Sequence, residues 1–257
     1  MEILKVQNLC KTYGTGEAKV DALKNVSFSL EKGEFVAVVG ESGSGKSTLL
    51  NCIGALDVPT SGTVTMDGNN LFSMKEEERT IFRRRNIGFI FQSFNLISFK
   101  NAMENVALPL FYQNVSRKKR NILAMEYLDK LGLKDWAHHM PNELSGGQKQ
   151  RIAMSRALAA NPDIMILDDS LSAVDAKTEH HIVENLKQER QGKTTIITAH
   201  RLSAIVHADL ILVMDKGTIR EAGTHKELMD LGGWYYETYQ SQQLTESLTA
   251  GLEGGVS

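Results

Sequence analysis

The sequence is poor in cysteine and has no long apolar run, and both absences limit what the protein can be. Its two cysteines, Cys10 and Cys52, lie far apart in otherwise apolar stretches. They do not form a disulfide framework, and we interpret them as core residues of a protein in a reducing compartment. No apolar run approaches the roughly 18 residues of a membrane span, and no secretory signal opens the chain. We therefore expect a cytosolic protein.

An excess of charge of either sign is also missing. Lys and Arg together number 29, Asp and Glu number 31, and the formal net charge is −2. This balance does not favour nucleic acid or acidic lipid as the main partner, and we expect no nucleic-acid partner. The 257 residues can bury a full core, and the hydrophobic content of 42% is ordinary for a soluble protein. One large domain or two small ones would fit these limits.

What the sequence does contain is a glycine-rich loop between an apolar strand and a helix. Phe35–Val39 is typical of a strand buried on both faces, and Thr48–Ile53 indicates the opening of a helix. Between them lies the stretch Gly40-Glu41-Ser42-Gly43-Ser44-Gly45-Lys46-Ser47-Thr48. It has the pattern G-x-x-x-x-G-K-[ST], whose glycines turn backbone N–H groups toward a phosphate.

The alternative, a chance loop of glycine and serine, does not explain the lysine and the flanking strand. In this pattern Lys46 reaches the β- and γ-phosphates, and the Ser47 hydroxyl binds Mg²⁺. The stretch therefore predicts that the chain binds a nucleoside triphosphate.

The remaining patterns predict one α/β domain over residues 1–240. Three early strands indicate a small antiparallel sheet: Ile3–Leu9, Val26–Leu30 and Gly62–Met66. After a buried strand at Ile87–Gln92, a helical insertion is predicted over residues 93–160, with one helix at Arg117–Leu131. Strand and helix then alternate again. The polar, glycine-containing tail 241–257 is predicted to be disordered.

Two further stretches carry polar residues where they could serve a nucleotide. Ile164–Asp168 is an apolar strand that ends in a carboxylate, and in P-loop NTPases such an Asp holds the Mg²⁺. Buried strands also often end in Asp at an ordinary turn. The second stretch, Ser145-Gly146-Gly147-Gln148, opens a helix and forms another anion-binding surface. One nucleotide cannot easily use two such surfaces of one subunit, so we expect this one to serve a neighbouring subunit.

In these motifs the sequence resembles the ATP-binding cassette (ABC) family over nearly its whole length. The resemblance implies a RecA-like P-loop core with an antiparallel β subdomain and an inserted helical subdomain. It also implies ATP and Mg²⁺ as ligands, and an ATP-dependent pairing with a second nucleotide-binding subunit, identical or different. Each ATP would lie between the phosphate loop of one subunit and the Ser145–Gln148 signature of the other. The pair would drive a membrane permease, and the chain would be peripheral at the inner face of the plasma membrane.

The resemblance also assigns roles to residues whose function no local motif indicates. Tyr13 matches the aromatic residue that stacks on adenine, and the resemblance favours this role over that of a lone surface tyrosine. Gln92 matches the glutamine that contacts Mg²⁺ and the attacking water. His200 matches the histidine at the γ-phosphate, although a histidine after a strand is usually structural. Ser172–Asp175 matches the loop that crosses the dimer interface.

Asp169 departs from the family pattern. An active member usually has glutamate here, which polarises the attacking water, and aspartate is one methylene shorter. A misplacement of about 1 Å can cost about a hundredfold in rate. The stretch Leu167–Ser172 resembles the weakened site of heterodimeric exporters, so slow hydrolysis is expected.

The second departure is a mixed likeness along the chain. The first part resembles stand-alone ATPase subunits of the lipoprotein-release and macrolide-export type. From about Asn161 onward the sequence resembles exporters whose membrane domain is fused in the same chain. We infer from this a chimera, natural or engineered, joined between about Gly146 and Asn161. A single lineage with an unusual mixture is the alternative.

Three functions remain open at this point. The first is a transporter subunit that binds and slowly hydrolyses ATP, with an exporter as the expected transporter. The second is a regulatory module that dimerises on ATP with negligible turnover. The third, a member of the family that acts on ribosomes or DNA, is weakly supported, because such proteins usually carry two cassettes or a long coiled coil.

Overall fold

A computed structural model describes residues 1–91, 93–169 and 176–253. Within these ranges the chain forms two β-sheets and eight α-helices. The strands are β1 (Glu2–Tyr13), β2 (Val20–Glu31), β3 (Phe35–Val39), β4 (Ser61–Met66), β5 (Asn69–Asn70), β6 (Ile87–Ile90), β7 (Ile164–Leu167), β8 (Thr194–Thr198), β9 (Leu210–Asp215) and β10 (Thr218–Gly223). The helices are α1 (Lys46–Ile53), α2 (Glu76–Asn86), α3 (Ala102–Tyr112), α4 (Arg117–Lys130), α5 (Gly146–Ala159), α6 (Ala176–Glu189), α7 (His225–Leu231) and α8 (Trp234–Glu253).

The larger sheet has six strands in the order β10-β9-β3-β8-β7-β6. All neighbours are parallel except β10, which pairs antiparallel with β9 at one edge. β3 lies inside the sheet, and all five of its residues are buried, which suits its run of β-branched and aromatic side chains. Because parallel strands end at the same edge, the loops after β3, β7 and β8 come together.

The smaller sheet is antiparallel, with the strand order β2-β1-β4-β5. Its inward residues join one hydrophobic core with α1 and one face of the larger sheet, and this core includes Leu4, Val64 and Leu50. The opposite face of the larger sheet packs in a second core with α5, α6 and α8. The α/β fold with an antiparallel β subdomain is confirmed.

Residues 93–160 contain the three helices α3, α4 and α5. Their apolar faces form a third core, separate from the two sheet cores and centred on residues such as Val106, Leu128 and Ile152. α4 ends one residue before the helix expected from the sequence. α5 reaches back to pack on the larger sheet as well, through Ala153 and Met154. The insertion is therefore tied to the core by α5.

Two elements differ from the sequence-based expectation. The sequence does not predict α2, because this helix buries none of its residues and has no apolar stripe. Charge contributes to its stability, since Glu76–Glu78 in the first turn and Arg83–Arg85 in the last turn complement the helix dipole. The prediction of a disordered tail from Ser241 is wrong as far as Glu253, since α8 continues through this stretch. Gln242 contributes to this order, because its side chain bonds the backbone of His200 and Leu202 after β8. Residues 254–257 lie outside the described ranges.

Candidate nucleotide site

The phosphate loop follows β3 and is enclosed by neighbouring backbone. Gly45 has a φ of 104° and stands immediately before α1, which begins at Lys46. A Cβ on Gly45 would lie 2.6 Å from Ala22 O, and one on Gly40 would lie 2.2 Å from Met214 O. No other residue type fits these two positions without a shift of the backbone. The glycine spacing of the motif is thus imposed by the fold.

Two side chains of this loop have groups that suit a polyphosphate. Lys46 Nζ donates hydrogen bonds to Gly40 O and Glu41 O, both at 2.7 Å, which stand in for phosphate oxygens. Burial lowers the pKa of Lys46, while the carboxylates of Asp169 and Asp168 act in the opposite direction. The Ser44 hydroxyl is buried and has no hydrogen-bond partner among the described residues. An orphaned buried hydroxyl in a phosphate loop is satisfied when a phosphate oxygen arrives.

The oxygens expected to hold a metal converge at the start of α1. Ser47 Oγ donates to Asp168 Oδ1 at 2.9 Å, and the Asp168 N–H donates to Ile90 O at 2.9 Å. Burial raises the pKa of Asp168, the hydrogen bond from Ser47 lowers it, and the charge of Asp169 raises it further. A divalent cation bound here would offset the free-energy cost of keeping the Asp168 carboxylate ionised in a partly buried position. An alcohol and a carboxylate are ligands that Mg²⁺ accepts, with phosphate and water completing the shell.

Asp169 and His200 meet directly. His200 Nε2 lies 2.7 Å from Asp169 Oδ1, and the imidazole side chain is 54% exposed whereas the carboxylate is 21% exposed. Asp169 has a φ of 46°, a left-handed conformation that aspartate tolerates better than most residues. Its N–H donates to Thr198 Oγ1 at 2.5 Å. The fold therefore joins a general-base candidate to a histidine from the next strand of the sheet.

These residues line one cleft of about 420 Å³, a size typical of small-ligand sites. Its lining contains most of the predicted phosphate and catalytic residues: Ser42, Gly43, Gly45, Lys46, Ser47, Thr48, Asp168, Asp169 and His200. Thr198 lies beside them and was not singled out by the sequence, because a threonine within a buried strand has no motif of its own. Within the described part of the chain, the lining includes neither Tyr13 nor the Ser145–Gln148 signature.

Tyr13 is held at the edge of the antiparallel sheet by side chains that the sequence did not indicate. Its hydroxyl donates to Asp57 Oδ2 at 2.6 Å, and Lys11 Nζ lies 4.8 Å from the ring centroid. Lys11 also donates to Asp57 Oδ1 at 2.6 Å. Burial raises the pKa of Tyr13 to about 12, the bond to Asp57 adds to the rise, and Thr48 of the phosphate loop opposes it. Tyr13 as a whole residue is 42% exposed.

The signature lies at the N-terminus of α5. Ser145 Oγ accepts from the Gln148 N–H at 3.3 Å, and the Ser145 N–H donates to Gln148 Oε1 at 2.8 Å, which forms a capping box. A Cβ on Gly146 or Gly147 would meet no described atom within 4 Å. Neither glycine has a left-handed φ. Packing and strain within the described chain therefore do not require glycine at these two first-turn positions of α5.

Gln92 and the interface loop Ser172–Asp175 lie outside the described residues. Their roles stay predictions from the resemblance.

A glycine-rich loop between a parallel strand and a helix, opposite a carboxylate at the end of a neighbouring strand, defines a P-loop nucleotide-binding protein. The family model described as "ABC transporter" matches residues 23–172 of the chain. The chain belongs to the ABC transporter family, as an ATP-binding subunit of the ATPase type.

Relatives agree with this assignment. The chain is 43% identical over 223 residues to the ABC transporter ATP-binding protein MJ0796 of Methanocaldococcus jannaschii, covering 84% of this chain and 95% of that protein. It is 41% identical to the macrolide export ATP-binding/permease protein MacB of Bdellovibrio bacteriovorus, covering 85% of this chain but 33% of MacB.

Solved structures agree as well. A dimeric, post-hydrolysis state of MJ0796 bound to ADP and Pi matches 87% of this chain and 99% of its own, with a TM-score of 0.82 and 41% identity. A bacterial Atm1-family ABC exporter with ATP bound matches 94% of this chain and 42% of its own, with a TM-score of 0.78 and 30% identity. The family assignment implies pairing of two cassettes and a permease partner.

The comparisons do not support a chimera. A match of 223 residues within 257 necessarily crosses the region between Gly146 and Asn161 where a join was inferred. A single relative therefore accounts for sequence on both sides of it. Of the described helices, none is long and apolar enough to cross a membrane.

Proposed function

We propose that the chain binds Mg–ATP in the cleft and hydrolyses it with Asp169 as the base and His200 at the γ-phosphate. The single observation that carries this proposal is the 2.7 Å contact between the two side chains beside the phosphate loop. The contact supports a shared task, since a base and its orienting partner must lie within hydrogen-bond distance. Lys46 would neutralise the β- and γ-phosphates, and the loop N–H groups would hold them.

Mg²⁺ would bind between Ser47 and Asp168, with Gln92 as a further ligand. The cation neutralises charge on the phosphates and supplies the electrostatic part of the catalysis. The existing bond between Ser47 Oγ and Asp168 Oδ1 would give way, since both oxygens would turn toward the ion. The raised pKa of Asp168 favours this exchange, because a half-buried carboxylate gains more from a cation than a fully exposed one.

Hydrolysis would require two cassettes. The open surface at Gly146 and Gly147 supports close approach by a molecule from outside the described chain. The N-terminus of α5 offers N–H groups and a positive dipole to that molecule, which suits a γ-phosphate held by the partner subunit. Ser145, Gly147 and Gln148 would contact this phosphate across the interface, and Tyr13 would stack on the adenine. Two identical chains, or this chain with a different cassette, could form the pair.

In the cell the pair would act on an exporter, at the inner face of the plasma membrane. The likeness to MacB and to an Atm1-family exporter supports export over import. Turnover would be slow, because the Asp169 carboxylate lies one methylene short of the usual base.

Phosphate release at saturating Mg–ATP tests the hydrolysis. We expect a slow release that requires Mg²⁺ and is lost in Lys46→Ala, because the ammonium that neutralises the phosphates is gone. A rate that Lys46→Ala leaves unchanged would come from a contaminant, and the hydrolysis claim would fail in favour of the regulatory module.

A further inference from the structure

The side-chain amide of Gln242, in the third turn of α8, bonds the loop that carries His200. Gln242 Nε2 donates to His200 O at 2.8 Å, and Gln242 Oε1 accepts from the Leu202 N–H at 2.8 Å. The two bonds span the connection between β8 and a 3₁₀ helix at Leu202–Ile205. One side chain thus fixes both ends of the short segment that presents the imidazole.

α8 is itself anchored, so these bonds come from a fixed support. The N–H groups of Trp234 and Tyr235 donate to the two oxygens of Glu221, at 2.6 and 3.1 Å. Tyr235 is fully buried, and its hydroxyl lies 2.8 Å from His225 Nδ1. Gln242 follows Tyr235 by seven residues and therefore lies on the same face of the helix.

The loop that carries His200 depends on hydrogen bonds to its backbone, because the imidazole itself is exposed. More than half of the His200 side chain is in contact with solvent, so packing alone does not set its direction. On either side of His200, the Ala199 N–H donates to Val38 O at 3.4 Å, and Arg201 Nη1 donates to Glu179 Oε2 at 2.9 Å. Gln242 adds the bond to the backbone of His200 itself.

We propose that Gln242 is a positioning residue of the ATPase site, which holds the His200 backbone so that the imidazole meets Asp169 and the terminal phosphate. The proposal rests on the function proposed above for His200. Gln242 does not line the cleft and acts only through the loop it bonds. The histidine–aspartate contact at 2.7 Å is at the short end of the hydrogen-bond range, so a small shift of the loop lengthens it.

The first test measures turnover of the full chain. Gln242→Ala should lower kcat about tenfold with the KM for ATP changed less than about twofold, since misplacement affects the chemical step. Gln240→Ala is the matched control: it removes the same amide from an exposed position of α8, two residues earlier, and should leave kcat unchanged. In a His200→Ala background, Gln242→Ala should cause no further loss. An equal loss with and without His200 would show a general structural effect and would overturn the proposal.

The second test does not require turnover. In Gln242→Ala the Leu202 amide should lose its protection from hydrogen exchange, and the imidazole proton resonance of His200 should move, whereas that of the exposed His138 should not. Gln240→Ala should change none of these. An unmoved His200 resonance would overturn the proposal. A wild-type chain without Lys46-dependent turnover would overturn the proposed hydrolysis instead, and the exchange and resonance data would still decide whether Gln242 positions His200.

Discussion

Lengthening Asp169 by one methylene is the substitution that tests the catalytic assignment most sharply. Asp169→Glu moves the carboxylate outward by about 1.5 Å, one carbon–carbon bond, from a side chain that is now 2.7 Å from His200. The hydrogen bond from the backbone N–H of residue 169 to Thr198 holds the backbone in place. The longer side chain therefore moves the carboxylate and does not shift the chain. The carboxylate would then extend into the cleft, toward the attacking water.

We expect turnover to rise by about ten- to a hundredfold, the range for placing one general base. The folded state should be less stable, because residue 169 has a φ of 46°. A left-handed backbone costs an ordinary L residue roughly 1–2 kcal/mol, and aspartate less. For a domain of this size that difference lowers the Tm by about 2–4 °C. The variant would therefore be faster and less stable.

Asp169→Asn is the matched control, because asparagine also tolerates the left-handed conformation and keeps the side-chain length. It should leave the Tm nearly unchanged, abolish turnover and trap ATP in a dimer. Phosphate release and thermal unfolding of the three proteins give both quantities. If Asp169→Glu leaves the rate unchanged while Asp169→Asn abolishes it, the backbone already compensates for the shorter side chain, and the reasoning from reach is wrong.

Three further outcomes follow from the same site. His200→Ala should lower turnover roughly 10- to 100-fold while ATP affinity changes less than about threefold, since the contact of His200 with the γ-phosphate strengthens in the transition state. Equal losses in turnover and in the ATP affinity measured by calorimetry would indicate a structural histidine. A non-hydrolysable ATP analogue should convert the chain from monomer to dimer in sedimentation, and a monomer at saturation would point to a different cassette as partner. Asp168→Asn should raise the Tm of the nucleotide-free chain by a few degrees, because burial raises the pKa of Asp168 and its negative charge destabilises the fold at neutral pH. The same variant should abolish the Mg²⁺ dependence of ATP binding. An unchanged dependence would show that Asp168 does not bind the metal.

The sequence was sufficient for the phosphate loop because its constraints are local. The backbone around Gly40 and Gly45 admits only glycine, and such requirements appear directly in the sequence. The sequence also predicts β3, because both faces of this strand are buried and this burial selects a continuous apolar run.

The sequence was insufficient where a role depends on contacts between distant residues. Gln242 lies 42 positions from His200, and only the fold brings its amide to the histidine loop. Asp57 lies 44 positions from Tyr13 and has no motif of its own. The polar composition of the tail predicts disorder, although the buried and partly buried residues of α8 lie on one face of that helix.

Mixing two inactive variants tests most directly whether the nucleotide is hydrolysed between the phosphate loop of one chain and the signature of another. Lys46→Ala disables the phosphate loop. Gly146→Asp places a negative charge at the signature, where a Cβ meets no described atom and an acidic residue suits the helix N-terminus, so the fold is kept. In a mixed dimer one composite site is intact, and random pairing would restore roughly a quarter of wild-type turnover. Each variant alone should release no phosphate, and a mixture no more active than the sum of its parts would contradict the composite site.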